Sequence, residues 1–467
     1  MKLSDIADVR NEIEIKGVTA DSREVKQGFL FGSITDDAYI DDAIAKGAVA
    51  VIVGKDYGKE WPQVVMIKVD NPVKTYASAV ARYFGTVPQH LAAITGTNGK
   101  TSIADFVRQI LTMMGKNIAS IGTLGVIKGD AQPIPLPNTT PNNVTLHKIL
   151  HGLSEEGIDY AILEASSHGL HQGRLDGLEF EVAGFTNLTR DHLDYHQTFE
   201  NYFKAKMILF EERLKSGGTA VLNADIDCYD EIVKICRARG HNIISYGYKG
   251  KDIKLLKATP KANGQVLDLE YFGESVQVEI PLAGVFQADN AMCALGIAGV
   301  LSGDRKKILP YLPKIKGAKG RLELVGEKNG AAIYIDYAHT PDALEQVLKA
   351  LREHTQGKLK VLFGCGGNRD KGKRPQMGKI ADDLADEVFV TDDNPRFEEA
   401  DVIRDEIMAA CSKGVNIKGR AAAIKTAMDG LQKGDVLVLA GKGHESGQYV
   451  KGEILPFSDH EEVRKNL

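Results

Sequence analysis

The segment Thr95-Gly96-Thr97-Asn98-Gly99-Lys100-Thr101-Ser102 carries the residue types that bind a polyphosphate. It falls between a strand expected over Leu91 to Thr95 and a helix whose Ile103, Phe106, Val107, Ile110, Leu111 and Met114 share one face, the context such a loop requires. Gly96 and Gly99 let backbone N–H groups curl around phosphate oxygens, and the helix N-terminus adds its positive dipole. Lys100 supplies a mobile charge, and Thr101 can offer its hydroxyl to Mg²⁺. The spacing GTNGKT is shorter than the usual GxxxxGK[ST].

Other segments carry further chemistry. Glu164 closes a strand expected over Tyr160 to Leu163; near a phosphate loop it suits Mg²⁺, since hard cations prefer oxygen, and alone it reads as a solvated strand-end acid. The stretch Thr186 to His196 packs Asp191, His192, Asp194 and His196 into a strand-to-helix turn, where the aspartates taken alone are helix caps. Lys204 and Lys206 taken alone are helix-surface lysines. The run Gly364 to Arg374 follows a strand, and its charge density fits an anion pocket. Asp393-Asn394-Pro395-Arg396 follows the strand expected over Glu387 to Thr391. An arginine there can clamp a carboxylate with two parallel hydrogen bonds, and a substrate without that carboxylate leaves the guanidinium unpaired.

These residues need elements to hold them. At 467 residues the chain exceeds one ordinary core, so two to three domains are expected. Residues 1–88 read as a small α/β unit with strands at Gly17 to Ala20, Phe29 to Phe31 and Ala48 to Val53, a helix through Ile44, a helix from Pro72 to Phe84 and a break at Gly85 to Pro88. Residues 89–316 alternate strand and helix, the pattern of a parallel sheet, with buried strands at Tyr160 to Leu163, Val182 to Thr186 and Thr219 to Leu222. A period-two region from Ile253 to Ile280, with turns at Asn263-Gly264 and Gly273, sits inside this part. A Lys, Gly and Pro-rich loop over Leu312 to Gly320 then leads into residues 317–467, a second doubly wound sheet with strands at Ile333 to Tyr337, Leu359 to Phe363, Glu387 to Thr391 and Val436 to Ala440. The fold class is thus α/β with three domains.

Composition narrows the function. A net charge of −5 argues against a nucleic-acid binder. No run approaches the roughly 20 apolar residues of a membrane span, and the N-terminus carries acids where a signal peptide has an apolar core, so no membrane insertion and a cytoplasmic location are expected. Cys228, Cys236, Cys293, Cys365 and Cys411 form no CxxC pair and read as reduced thiols rather than a zinc site or disulfide framework.

Taken together, TGTNGKTS and the ordered motifs after it resemble the Mur ligases and their relative folylpolyglutamate synthetase, over nearly the whole chain. The resemblance implies a UDP-binding first domain, a central ATPase and a Rossmann-like third domain. It implies an ATP- and Mg²⁺-dependent ligase that adds meso-diaminopimelate to UDP-N-acetylmuramoyl-L-alanyl-D-glutamate through an acyl phosphate, acting as a monomer. ATP would be held by Gly96 to Ser102 with Asn290, Arg321, His339 and Asp342, and the metal by Thr101, Glu164, His192 and Lys206, the lysine as a carbamate. Lys100, Lys206 and His192 would be the catalytic set. Ser22 in Asp21-Ser22-Arg23, with Thr139, Thr140, Ser166, Gln172 and Arg174, would hold the UDP-linked donor. Arg369, Asp393, Asn394, Pro395, Arg396, Gly441 and Glu445 would hold diaminopimelate, DNPR going with that amino acid where lysine-adding members lack the arginine.

The chain departs from the family pattern in three places. Gln287 stands where the family usually has Asn, Asn368 where close relatives have Asp, and Gly32 runs into Asp41 without the usual Asp-Gly-His/Arg loop that touches UDP. A lysine-adding or folylpolyglutamate-type ligase is the rival enzyme, disfavoured by DNPR and by Thr139-Thr140-Pro141. An inactive nucleotide-binding scaffold would carry damage at Lys100, Glu164, His192 or Lys206, and all four are present.

Overall fold

Asn71 caps the helix Pro72–Phe84 by accepting from the Lys74 amide, and Pro72 occupies its first position, so this helix starts and stops where the sequence places it. The computed structural model describes residues 1–261 and 264–467, which leaves the expected Asn263-Gly264 turn outside the described residues. The chain divides into two compact units, one of residues 1–244 and 296–305, the other of residues 245–295 and 306–467.

The first unit holds two sheets. Gly17–Thr19, Phe29–Gly32, Ala48–Gly54 and Val65–Val69 form an all-parallel sheet in chain order. The main sheet runs Leu214–Asn223, Phe180–Phe185, His90–Thr95, Tyr160–Glu164, Ile118–Gly122, Gly125–Lys128, parallel except at its last pair. His90–Thr95 lies between strands that follow it in the chain, so the strand order reverses beside it, and at such a switch point a crevice opens beyond the carboxyl ends. The helix Lys100–Met113 packs Ile103, Phe106, Val107, Ile110 and Leu111 fully out of water, as its periodicity predicts. The strands Ile118–Gly122 and Gly125–Lys128 and the helix Asn143–Glu155 had no counterpart among the expected elements.

In the second unit, Ile253–Lys261, Gly264–Tyr271 and Glu274–Ile280 make the expected antiparallel meander. The other sheet runs Glu323–Lys328, Ala331–Asp336, Val436–Ala440, Leu359–Phe363, Glu387–Val390, Gly414–Asn416, with only its first pair antiparallel. Leu359, Val361 and Phe363 face one core and Leu362 another, so both faces of this sheet are covered, which explains why the central strand Val436–Ala440 is apolar throughout.

One helix, Val285–Ser302, is 18 residues long and apolar enough for a membrane span by length and composition, although no apolar run of that kind stands out in the sequence. Its four alanines and its Val, Leu, Ile, Phe, Met and Cys residues raise its hydropathy, and 72% of it is buried inside the fold.

Arg420 and Asp459 form an ion pair at 2.7 Å with both side chains fully buried, and Arg420 also donates to the Ala440 carbonyl. Removing one partner strands a charge in the interior, at a cost of roughly 3–5 kcal/mol. Arg420→Met is therefore expected to lower the denaturation midpoint sharply, and Arg420→Met with Asp459→Leu to recover most of the loss, as followed by thermal melting.

Candidate active site

Four neighbouring parallel strands of the first unit end at one edge, delivering Thr186, Gly96, Glu164 and Thr123 side by side. Gly96 has φ +140°, and a Cβ there would lie 1.8 Å from Thr186 Oγ1, so only glycine lets the loop pass. Asn187 pins the loop by accepting from the Asn98 amide at 2.9 Å, while Thr186 donates its hydroxyl to the Asn98 carbonyl at 2.6 Å. Gly99 caps the helix at φ +89° without a side-chain cap, which leaves the first-turn amides to a ligand.

Two lysines meet at the loop. Lys100 Nζ donates to the carbonyls of Gly96 and Thr97 at 2.9 and 2.8 Å, and Lys206 Nζ donates to the same Gly96 carbonyl at 2.7 Å. Lys206 is 1% exposed, against its bland reading as a surface lysine, whereas Lys204 is exposed and paired with Glu200. Burial, and then the nearby Lys100 ammonium, push the Lys206 amine well below its ordinary range.

Tyr202 organises this end of the site. Its hydroxyl meets Thr97 Oγ1 at 3.1 Å, the Lys206 amine lies 4.4 Å from its ring centre, and the His192 ring stands 6.2 Å away, edge-on. His192 holds a left-handed backbone at φ 51°, a cost of order 1–3 kcal/mol that marks a constrained position. His168 packs against His192, Tyr195 and His196, and burial brings His196 down to about 4.

Glu164 anchors the other end. Its carboxylate accepts from Thr101 Oγ1 at 2.9 Å, from the Thr123 amide at 2.8 Å and from Thr123 Oγ1 at 3.2 Å. A Cβ on Gly122 would fall 2.1 Å from Glu164 Oε1, so the carboxylate occupies space that glycine vacates. Thr123 Oγ1 also meets Thr139 Oγ1, and Thr140 bonds the Glu164 carbonyl and Ser166, which joins these candidates in one chain. Arg174 extends it by donating to the Thr140 carbonyl at 2.7 Å and to Gln172 Oε1 at 2.7 Å.

For a hard cation, the clustered hydroxyl and carboxylate oxygens of Thr101, Thr123 and Glu164 fit. His192 and Lys206 lie beside Tyr202 instead, Lys206 on the Gly96 carbonyl, and His192 Nε2 lies 3.4 Å from Asp191. Among the described residues, no three His, Cys, Asp or Glu side chains converge on one point.

A cavity of about 740 Å³ in this unit brings together Ser22, Gln172 and Arg174. Ile34, Thr35 and Tyr39, from the shortened stretch between Gly32 and Asp41, line it too, so that departure lies in the cavity wall.

The second unit carries the remaining candidates. Asn290 donates to Gln287 Oε1 at 2.9 Å, and Gln287 donates to the Arg321 carbonyl at 3.2 Å, so the departure Gln287 bridges two expected nucleotide contacts. The Arg321 guanidinium lies 4.7 Å from the Tyr337 ring centre, and His339 stacks edge-on against the same ring. Asp342 is exposed in the first turn of its helix. Burial raises Asp336, which binds the amides of Leu322 and Ala338 and shapes the loop carrying His339.

Beyond the ends of Val436–Ala440 and Glu387–Val390, which flank Leu359–Phe363, Lys442 is fully buried and donates to Asn394 Oδ1 at 3.1 Å, Glu445 Oε2 at 3.0 Å and the Gly447 carbonyl at 2.7 Å. Asn394 Nδ2 donates to Glu445 Oε2 at 2.9 Å. Gly441 has φ +108°, and a Cβ there would approach Asp393 Oδ2 at 2.8 Å. Arg396, also left-handed at φ 54°, donates to the Gly367 carbonyl at 3.0 Å, while Arg369 is exposed. Sequence reasoning missed Thr123 and Tyr202 as site residues; neither belongs to a spaced motif, and Tyr202 signals itself only by standing four residues before Lys206.

A loop shaped for a polyphosphate, set against a carboxylate suited to a hard cation, fits an enzyme that uses a nucleoside triphosphate, and by its family this chain is an ATP-dependent amide-bond-forming ligase. Residues 94–298 match the Mur ligase middle domain, and residues 320–443 match the Mur ligase glutamate ligase domain. The chain belongs to the Mur ligase family. It is 47% identical over 461 residues to the UDP-N-acetylmuramoyl-L-alanyl-D-glutamate--2,6-diaminopimelate ligase of Agrobacterium fabrum, covering 97% of this chain and 94% of that one. It is 48% identical over 462 residues to the ligase of the same name from Rhizobium meliloti, with 97% and 94% covered. A solved structure of a ligase of that name superposes with a TM-score of 0.74 at 33% identity, covering 100% of this chain and 98% of the other.

The Gly122 geometry carries a prediction. Gly122→Ala displaces the Glu164 carboxylate from Thr101 and Thr123, so Mg²⁺-ADP affinity is expected to weaken about tenfold, roughly 1.4 kcal/mol, by calorimetric titration. Unchanged affinity would mean that the nucleotide site does not depend on this seat.

Proposed function

We propose that this chain joins the D-glutamyl carboxylate of UDP-N-acetylmuramoyl-L-alanyl-D-glutamate to an amine of meso-diaminopimelate, using ATP, in peptidoglycan synthesis. The observation that carries the acceptor assignment is that the loop of Arg396 also carries Asn394, which is bonded to the buried Lys442 and the half-buried Glu445 in the second unit. Glu445 has one oxygen committed to Asn394 and Lys442 and keeps its side chain 28% exposed, which suits an incoming ammonium. Arg396 suits a carboxylate. Diaminopimelate brings both groups at its far end, whereas lysine brings only the ammonium and would leave the guanidinium unpaired.

Within this reading, residues 1–88 with Ser22 take the uridine end of the donor, and Thr139, Thr140, Ser166, Gln172 and Arg174 take its muramoyl-peptide. Residues 89–316 carry ATP, with Asn290, and residues 317–467 carry the amino acid, with Arg321, His339 and Asp342 as the further residues assigned to the nucleotide. Arg369, Asp393, Pro395 and Gly441 complete the amino-acid wall. Magnesium held by Thr101, Glu164, His192 and Lys206 would neutralise the polyphosphate and the donor carboxylate. The depressed Lys206 amine can add CO₂ with loss of a proton, turning a cation into an oxygen ligand.

Lys100 and the loop amides stabilise charge on the phosphoryl group in transfer. The donor carboxylate attacks the γ-phosphorus, ADP leaves and an acyl phosphate remains. The acceptor amine attacks the acyl carbon, phosphate leaves, and the amide forms with release of the amine proton. In this reading the reaction runs in the cytoplasm, where ATP is made available, and each chain acts as a monomer.

Phosphate release with the UDP-linked dipeptide tests this directly. Strong preference for meso-diaminopimelate over L-lysine is expected; equal rates would favour a lysine-adding enzyme, and release with neither would require another acyl donor. Lys206→Ala is expected to abolish turnover, with partial recovery on adding short carboxylates, and an unimpaired variant would remove the carbamate role. Arg396→Ala is expected to lose the preference for diaminopimelate, read as the ratio of kcat/KM values for the two amino acids.

A further inference from the structure

The side chains of two arginines pass beside Gly366. A Cβ at that glycine would lie 2.7 Å from Arg396 Nη1 and 3.8 Å from Arg369 Cγ. They come from separate loops, 364–372 and 393–398, and among the described residues neither forms an ion pair. What fixes their separation is the stitching between the loops.

That stitching is reciprocal. The Gly367 amide donates to the Asn394 carbonyl at 2.9 Å, and Arg396 returns a bond to the Gly367 carbonyl at 3.0 Å. The Asn368 amide donates to Glu398 Oε1, and the Phe397 amide donates back to Asn368 Oδ1 at 3.0 Å. A Cβ on Gly367 would fall 2.0 Å from the Pro395 carbonyl, so the two backbones touch. Beneath them, Arg374 has no exposed side-chain surface and grips Glu398 through both terminal nitrogens at 3.1 Å, with Glu406 at 2.7 Å beyond. The Arg374 guanidinium and the Asn368 amide hold the Glu398 carboxyl down to about 2, so it stays ionised. Glu398 thus ties a rigid buried cation to the backbone of the residue just before Arg369, while its own chain neighbour but one is Arg396.

We infer that Glu398, clamped by Arg374 and Asn368, is a positioning residue that holds Arg369 and Arg396 at the separation an amino acid with two carboxylates requires. It makes selectivity for a dicarboxylic acceptor a property of the clamp as well as of the arginines. The departure at Asn368 is consistent with this role: its backbone is left-handed at φ 51°, which Asn tolerates well, and its neutral amide oxygen accepts the Phe397 amide without placing a second negative charge beside Glu398.

The inference rests on the reading of Arg369 and Arg396 as acceptor-binding residues. In Glu398→Gln the side chain keeps its size and loses its charge, and in Asn368→Gly the left-handed backbone is kept and only the returned bond is lost. For both, KM for meso-diaminopimelate is expected to rise about tenfold while kcat stays within about threefold, and the KM values for ATP and the UDP-linked donor hold. Arg396→Ala is measured alongside. If it loses selectivity while Glu398→Gln and Asn368→Gly keep the native KM, the clamp is overturned and the site reading stands. If Arg396→Ala itself leaves selectivity unchanged, the site reading falls first. A uniform fall in kcat for all substrates with a lowered melting temperature would also overturn the inference, since it would mark a merely structural role.

Discussion

The carbonyl oxygen of Gly96 accepts from two lysines, Lys100 at 2.9 Å and Lys206 at 2.7 Å, and much of the first unit follows from that shared acceptor. Burial first, and then the Lys100 ammonium on the same oxygen, lower the affinity of the Lys206 amine for its proton. The carbonyl can face both only because Gly96 takes a backbone at φ +140° beside Thr186, with no Cβ in the way. The strands on either side of His90–Thr95 then have to deliver Thr186 and Glu164 at matching height, and their parallel register does so.

In the second unit the corresponding constraint is a buried cation. Lys442, with three oxygen partners and no exposed surface, sets the orientation of the Asn394 amide, since Asn394 Oδ1 is taken by Lys442 and by the Tyr449 amide. The amide nitrogen is thereby turned to Glu445. Buried polar groups of this kind are costly unless every partner is supplied, and here the partners are supplied by the loops that carry the candidate residues, so packing and function share the same bonds.

Much of this was legible from residue order. Helix Pro72–Phe84 announces itself through Asn71 and Pro72, and the strands at 160–164, 359–363 and 436–440 through short, mainly apolar runs bounded by glycine or charge. The hairpin strands Ile118–Gly122 and Gly125–Lys128 were not, because so short a run of Ile, Ala, Ser and Gly has no period that separates it from a loop. Thr123 escaped for a different reason: its value lies in touching Glu164, 41 residues away, and no local pattern encodes that.

What the sequence determined by itself is the set of chemical groups and the loops that bear them: the glycines of the phosphate loop, Glu164 at a strand end, and DNPR after another. Those depend on local backbone geometry and residue type, which act over a few neighbours. Only the tertiary structure decided that Lys206 is buried rather than a surface lysine, that Tyr202 lies between it and His192, and that Glu398 joins two arginine loops. Desolvation and long-range contacts set those outcomes, and both exist only once distant strands have been brought to one edge.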